Sequence, residues 1–154
     1  MIDLQETDRV KKELVKRPEA FQEVIENTPL AICITDELGN FAAVNDNYCR
    51  MYGYTREELI GNSFLMVVQD IQKESLQEQH DLFLKFKDEI VRNWVVVRKD
   101  GTHIAIYADA EYDTMIHGRP RKITFVWPAE EWVQELMRSS GEKDQKKTLY
   151  PNTG

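Results

Sequence analysis

The dipeptide Asp100-Gly101 does most to limit how this chain can fold. It sits between an apolar run, Trp94-Val95-Val96-Val97-Arg98-Lys99, and a second run from Thr102 to about Glu111. Asp-Gly tolerates the positive backbone angles of a tight hairpin turn, whose twist matches that of the strands it joins. Two antiparallel strands are therefore expected. In the second, Ile104, Ile106, Ala108 and Ala110 share one face, while His103, Tyr107 and Asp109 share the other. A turn around His117-Gly118-Arg119-Pro120 leads to a third strand, Lys122 to Trp127, which Pro128 ends.

A second hairpin lies earlier. Leu30 to Thr35 and Phe41 to Val44 read as strands, joined by turn chemistry at Asp36-Glu37-Leu38-Gly39-Asn40. Between the two β blocks the period changes from two to about 3.6. Thr55-Arg56-Glu57-Glu58 is a capping box, with Tyr54 and Leu59 placed as its hydrophobic staple and Gly61 where the helix would end. Residues 71–87 predict a longer helix with a mainly apolar face of Leu76, His80, Phe83 and Leu84, widened by Leu82 and Phe86. Ahead of the first hairpin, residues 8–16 predict a helix broken by Arg17-Pro18, and Phe21, Val24 and Ile25 a second short stripe. Glu130 to Met137 predicts a last helix with Trp132, Val133 and Leu136 on its apolar side. Asn45 and Asp36, polar residues at strand ends, are read as caps of turns and helices.

This order predicts an α+β fold: a five-stranded antiparallel sheet with helices on one face. A flanking amino-terminal helix and a short carboxyl-terminal helix are added to it. The expected divisions are 1–20 for the amphipathic flanking helix, 21–128 for the domain, 129–138 for the last helix and 139–154 for a polar, disordered tail. At 154 residues the chain has room for one core. A formal charge of −7 argues against nucleic-acid or anionic-membrane binding, which need clustered Lys and Arg. No apolar run approaches a bilayer span and no secretion signal is visible, so a cytoplasmic protein is expected. Cys33 and Cys49 stand in no metal-ligand spacing and are too few for a disulfide framework.

Three stretches, in this order, resemble the PAS domain family over residues 21–127. They are Asn27-Thr28-Pro29-Leu30-Ala31-Ile32 closing on Thr35-Asp36 and Gly39; Val44-Asn45 followed by Tyr52 to Gly61; and Arg98-Lys99-Asp100-Gly101-Thr102. The resemblance implies a curved sheet whose concave face, roofed by helices, encloses a pocket. It also implies a homodimer through the flanking helix, so the stripe of Val10, Leu14, Phe21 and Ile25 is read as an interface. The alternative is that the stripe folds back onto the chain's own sheet. Where relatives commonly carry an Asp-Ile-Thr-like triplet, this chain reads Phe125-Val126-Trp127-Pro128. Output is therefore expected through dimer geometry or a partner such as a histidine kinase of a two-component system.

Within that frame, Phe64, Phe83, Leu84, Ile104, Ile106, Ala108, Trp127 and Arg92 are candidate pocket residues. Ala108 and Ala110 carry little volume, which leaves room for a guest unless Phe64, Trp127 or another large neighbour fills it. Gln79-His80-Asp81 is similar to the ligand helix of haem-binding PAS oxygen sensors, which would make His80 an axial ligand and place Arg92 near the distal side. The competing reading is a helix histidine packed on Leu76 and Phe83. Light-sensing PAS relatives carry a cysteine in a helix where this chain has Asn62-Ser63-Phe64-Leu65, so a flavin–cysteine adduct is not expected. Cys33 and Cys49 are read as small buried hydrophobes. No nucleophile elbow, phosphate-cradling loop or metal-ligand spacing suggests an enzyme. Glu57-Glu58 and Glu130-Glu131 point apart along their helices. The functional expectation is a sensory module with a ligand in its pocket, a ligand-free adaptor, or a haem-based sensor.

Overall fold

The computed structural model describes residues 4–87 and 91–129. Five α-helices in it are α1 (Leu4–Lys16), α2 (Phe21–Glu26), α3 (Asp46–Tyr52), α4 (Arg56–Leu59) and α5 (Lys73–Phe86). Five strands, β1 (Ala31–Thr35), β2 (Phe41–Val44), β3 (Val91–Val97), β4 (His103–Asp113) and β5 (Arg121–Pro128), form one sheet in the order β2-β1-β5-β4-β3. Every pairing is antiparallel. The expected last helix and tail lie outside the described residues, with Trp132, Val133 and Leu136. No described helix is long and apolar enough to cross a membrane.

Each turn forms for the reason its residues give. Thr55 and Glu58 close the capping box in both directions, and the helix stops at Ile60, just before a left-handed Gly61. In the β1–β2 turn the Asp36 carboxylate accepts from the amides of Leu38 and Asn40. Gly39 is required there twice over. Its φ is +90°, and a Cβ on it would come within 3.0 Å of the Phe64 ring. Asn45 is fully buried between β2 and α3. Its Oδ1 accepts from the amides of Ile32 and Tyr48, and its Nδ2 donates to the carbonyls of Ile25 and Leu30. One side chain thus ties α2, β1 and α3 together, which is the capping role read from its position.

Alternation along the strands divides the core in two. On the inner face, Ala31, Cys33, Val96, Ile104, Ile106, Ala108 and Val126 pack beneath Tyr48, Tyr52, Leu59 and Val67 from α3, α4 and the following 3-10 turn. On the outer face, Ile32, Ile34, Ile123, Phe125 and Trp127 pack against Val10, Leu14, Val24 and Ile25. Here the interface reading of the flanking stripe is corrected. Val10, Leu14 and Ile25 are at most 3% exposed, and Phe21 is partly buried against the same cluster. The outer sheet face is itself apolar, and α1 is the element that covers it. A dimer built on these four side chains would have to lift α1 and α2 off their own sheet.

A salt link and a hydrogen bond hold α1 there. Lys11 Nζ lies 3.1 Å from the Asp109 carboxylate on β4, and Arg9 donates to the Asn27 carbonyl. The longer helix also departs from expectation. His80 and Phe83 are buried, but Leu82 and Phe86 are 46% and 59% exposed, so the apolar face is narrower than the sequence suggested.

Candidate functional site

Between the inner sheet face and the roof of α3, α5 and the Phe64–Val67 turn lies a cavity of about 70 Å³. That is room for on the order of five water molecules, or for a guest of a few heavy atoms. Strand register explains the gap. Ala108 pairs with Val126, and Ala110 with Thr124, so two methyl-sized side chains stand side by side on the wall. A cavity remains beside them, with Phe64 on its wall as well.

The wall is polar at one end and apolar at the other. Cys33 and Thr35 on β1 lie opposite Thr124 and Lys122 on β5, all four lining the cavity. Further along, Ala108, Val126, Ile106 and Val96 make an apolar surface that Val67 and Val68 face. Thr35 is 3% exposed, and its hydroxyl has no hydrogen-bond partner among the described residues. Trp94, at the apolar end, carries a second buried donor without a partner among the described residues, its indole N–H. Buried polar atoms left in this state normally cost about 1–3 kcal/mol each. Two of them on one cavity wall mark places where a guest or ordered water gains a bond at no loss elsewhere.

Three other polar groups of the wall, Cys33, Tyr48 and Tyr52, are buried and stay protonated. Burial pushes the Cys33 thiol up to about 11, despite a hydrogen bond with Tyr48, so it stays a protonated, unreactive thiol. Tyr48 and Tyr52 are likewise held protonated by burial, with ring centroids 4.3 Å apart. Cys49 is half-buried on α3, so only Cys33 fits the description of a small buried hydrophobe.

His80 is 1% exposed. Its Nε2 lies 3.1 Å from the Asp36 carbonyl, which can only accept, so Nε2 carries the proton. The ring packs on Phe64, centroids 5.5 Å apart. Burial, with Lys122 nearby, lowers its proton affinity, and the Asp36 hydrogen bond only partly offsets this. These observations do not fit a haem ligand. The nitrogen that would face iron is bonded to the β1–β2 turn, and the cavity is far too small for a porphyrin. His80 instead pins α5 to that turn, on Phe64 and Gly39 rather than on Leu76 and Phe83 alone.

The other sequence candidates divide. Phe64, Ile106 and Ala108 line the cavity with His80. Ile104 is core but lies beyond the cavity. Phe83 and Leu84 do not line it: Phe83 turns toward Tyr112 and the Lys122 ammonium. Trp127 pairs with Tyr107 and so stands on the outer face, packed in the cluster beneath α1 and α2. Arg92 sits on β3 opposite Ala108, and its side chain lies outside the described residues. Sequence reasoning missed Thr35, Lys122, Thr124 and Trp94. For Thr35 the signal was there, since Cys33 and Thr35 share a face of one strand.

Comparison with known proteins gives a consistent picture. The family model described as PAS fold matches residues 19–127. No curated protein matches the sequence. Among solved structures, the PAS domain of an HTR-like protein from Haloarcula marismortui is similar, with a TM-score of 0.63 and 21% identity, covering 79% of this chain and 98% of that one. A domain of a sensory box sensor histidine kinase/response regulator from Geobacter sulfurreducens has a TM-score of 0.60 at 17% identity, covering 73% and 95%. A PAS domain in complex with ethanol, from a LuxR-family transcriptional regulator of Burkholderia thailandensis, has a TM-score of 0.56 at 15% identity, covering 68% and 94%.

Proposed function

The chain belongs to the PAS fold family, and from that premise we propose that it is a sensory module whose cavity takes a small molecule and whose output passes to a partner regulator. It acts by binding rather than by catalysis. The observation that carries this reading is the cavity itself: about 70 Å³ beside Ala108 and Ala110, with the partnerless Thr35 hydroxyl on its wall. A guest of that size matches the ethanol held by the similar Burkholderia thailandensis domain.

Strand β4 offers the route outward. Ala108 and Ala110 touch the cavity, while the carboxylate of Asp109 between them binds Lys11 of α1. A guest that displaces β4 therefore pulls on α1. It shifts the balance between two positions of that helix only by the difference in its affinity for them. The similarity to a domain of a sensor histidine kinase supports a kinase or response regulator as the recipient.

The test is thermal unfolding with two- to four-carbon alcohols at millimolar concentration. A guest that binds only the folded state raises the midpoint with its concentration. The wild-type protein is expected to show that rise and Ala108→Leu, which fills the cavity, to lose it. Equal responses in both proteins, or none in either, would remove the cavity from the account.

A further inference from the structure

We infer that α5 is the gate of the cavity and His80 its latch, which seats the helix at neutral pH and releases it in acid. This rests on the cavity reading above and adds the condition under which a guest is admitted or let go. One turn of α5, with Leu76, Gln79 and His80, forms part of the cavity wall. The helix is lightly attached. Of its 14 residues two are buried, His80 and Phe83, while Leu82 and Phe86 are exposed. Other polar contacts of its side chains are local: Gln77 with Asp81, Gln79 with Ser75, and Lys73 with Asp70 of the preceding turn. His80 instead reaches across to the β1–β2 turn, where its Nε2–H donates to the Asp36 carbonyl at 3.1 Å. Its ring fills a slot between the Phe64 ring and Gly39, where an added Cβ would lie 3.7 Å from the imidazole Cδ2. An element held by so few buried contacts opens at a lower free energy than the sheet beneath it.

Acid acts on the latch through the groups around the ring. Burial opposes a positive charge there, and Lys122 on β5 adds to it; the backbone of the turn and the Asp81 carboxylate favour the charge by less. The carboxylates of the turn are already engaged, Asp36 with the amides of Leu38 and Asn40, and Glu37 with Arg121. Asp109, on the same cavity wall, is held by Lys11 and the Ala110 amide. Lifting α5 gives the ring to water, where it takes up a proton at its ordinary value near 6.5. The lifted helix therefore binds more protons than the seated one. Lifting is independent of pH above about 6.5 and grows as the pH falls below it, by at most about tenfold per unit for one proton.

Amide hydrogen exchange of the full chain, each rate compared with that of an unstructured chain, reads the lifting directly. In the wild-type protein the amides of residues 79–83 are expected to exchange roughly tenfold or more faster than those of residues 123–125 in β5. Their lifting constant is expected to rise about threefold or more between about pH 7 and about pH 5. His80→Gln, whose amide can still donate to the Asp36 carbonyl, is expected to flatten that rise. The wild-type profile decides the matter even where this variant folds poorly. Added 1-butanol, which binds the seated form, is expected to slow exchange of residues 79–83 as its concentration grows. One shared rate for α5 and β5, a wild-type lifting constant that does not change with pH, or a rise that persists in folded His80→Gln would overturn the latch. With 1-butanol still raising the unfolding midpoint, the cavity reading would stand. Absence of any 1-butanol effect on midpoint and exchange alike would overturn both.

Discussion

Thr35 is a buried polar residue whose hydroxyl finds nothing to bond among the described residues. Replacing it with Val removes the orphaned group at nearly constant shape, so Thr35→Val is expected to raise the stability of the empty protein by about 1 kcal/mol. Urea denaturation measures this, and a loss of stability would mean that the hydroxyl is already satisfied. His80 makes the opposite kind of case, being buried, neutral and bonded. Its proton affinity is lowered in the fold, so between the folded value and the ordinary value near 6.5 the unfolded chain binds the extra proton. The stability tied to its neutral form is complete above about pH 6.5 and is lost as the pH falls below it. Wild-type stability should therefore drop more steeply from about pH 7 to about pH 5 than that of His80→Gln, as read by denaturant midpoints. Parallel curves would contradict this placement of His80.

At the scale of elements, what the sequence made legible was local and what it hid was register. The Asp100-Gly101 hairpin, the Thr55–Glu58 box and the Asp36 turn are each set by residues within a few positions, and each formed as read. The side of β5 that faces inward depends on its pairing with β1 and β4. Alternation alone could not tell that Trp127 shares Tyr107's outer face while Thr124 and Lys122 look into the cavity. The same blindness affected α1. An amphipathic stripe announces that a face is covered, not what covers it, and here the cover is the chain's own β1 and β5. Leu14→Glu would bury a charge at a site 3% exposed. It is expected to cost about 3 kcal/mol or more in urea-measured stability. Dissociation of an oligomer by Leu14→Glu with unchanged stability would restore the interface reading.

At the scale of the whole molecule, one sheet separates two cores of unlike character. The outer core is closed, filled by Phe125, Trp127 and the isoleucines beneath α1 and α2. The inner core is left incomplete where Ala108 and Ala110 meet a row of hydroxyl and amino groups. Strand β4 belongs to both, with its alanines inside and Asp109 tied to Lys11 outside. That arrangement lets a small guest on one face be reported on the other without any long-range device. Amide spectra of the labelled protein, titrated with 1-butanol, follow both faces at once. Shifts concentrated at Thr35, Ala108, Ala110 and Lys122, with a smaller response at Lys11 on α1, are the predicted result. Shifts confined to surface residues distant from β4, or shifts that persist unchanged in Ala108→Leu, would contradict it.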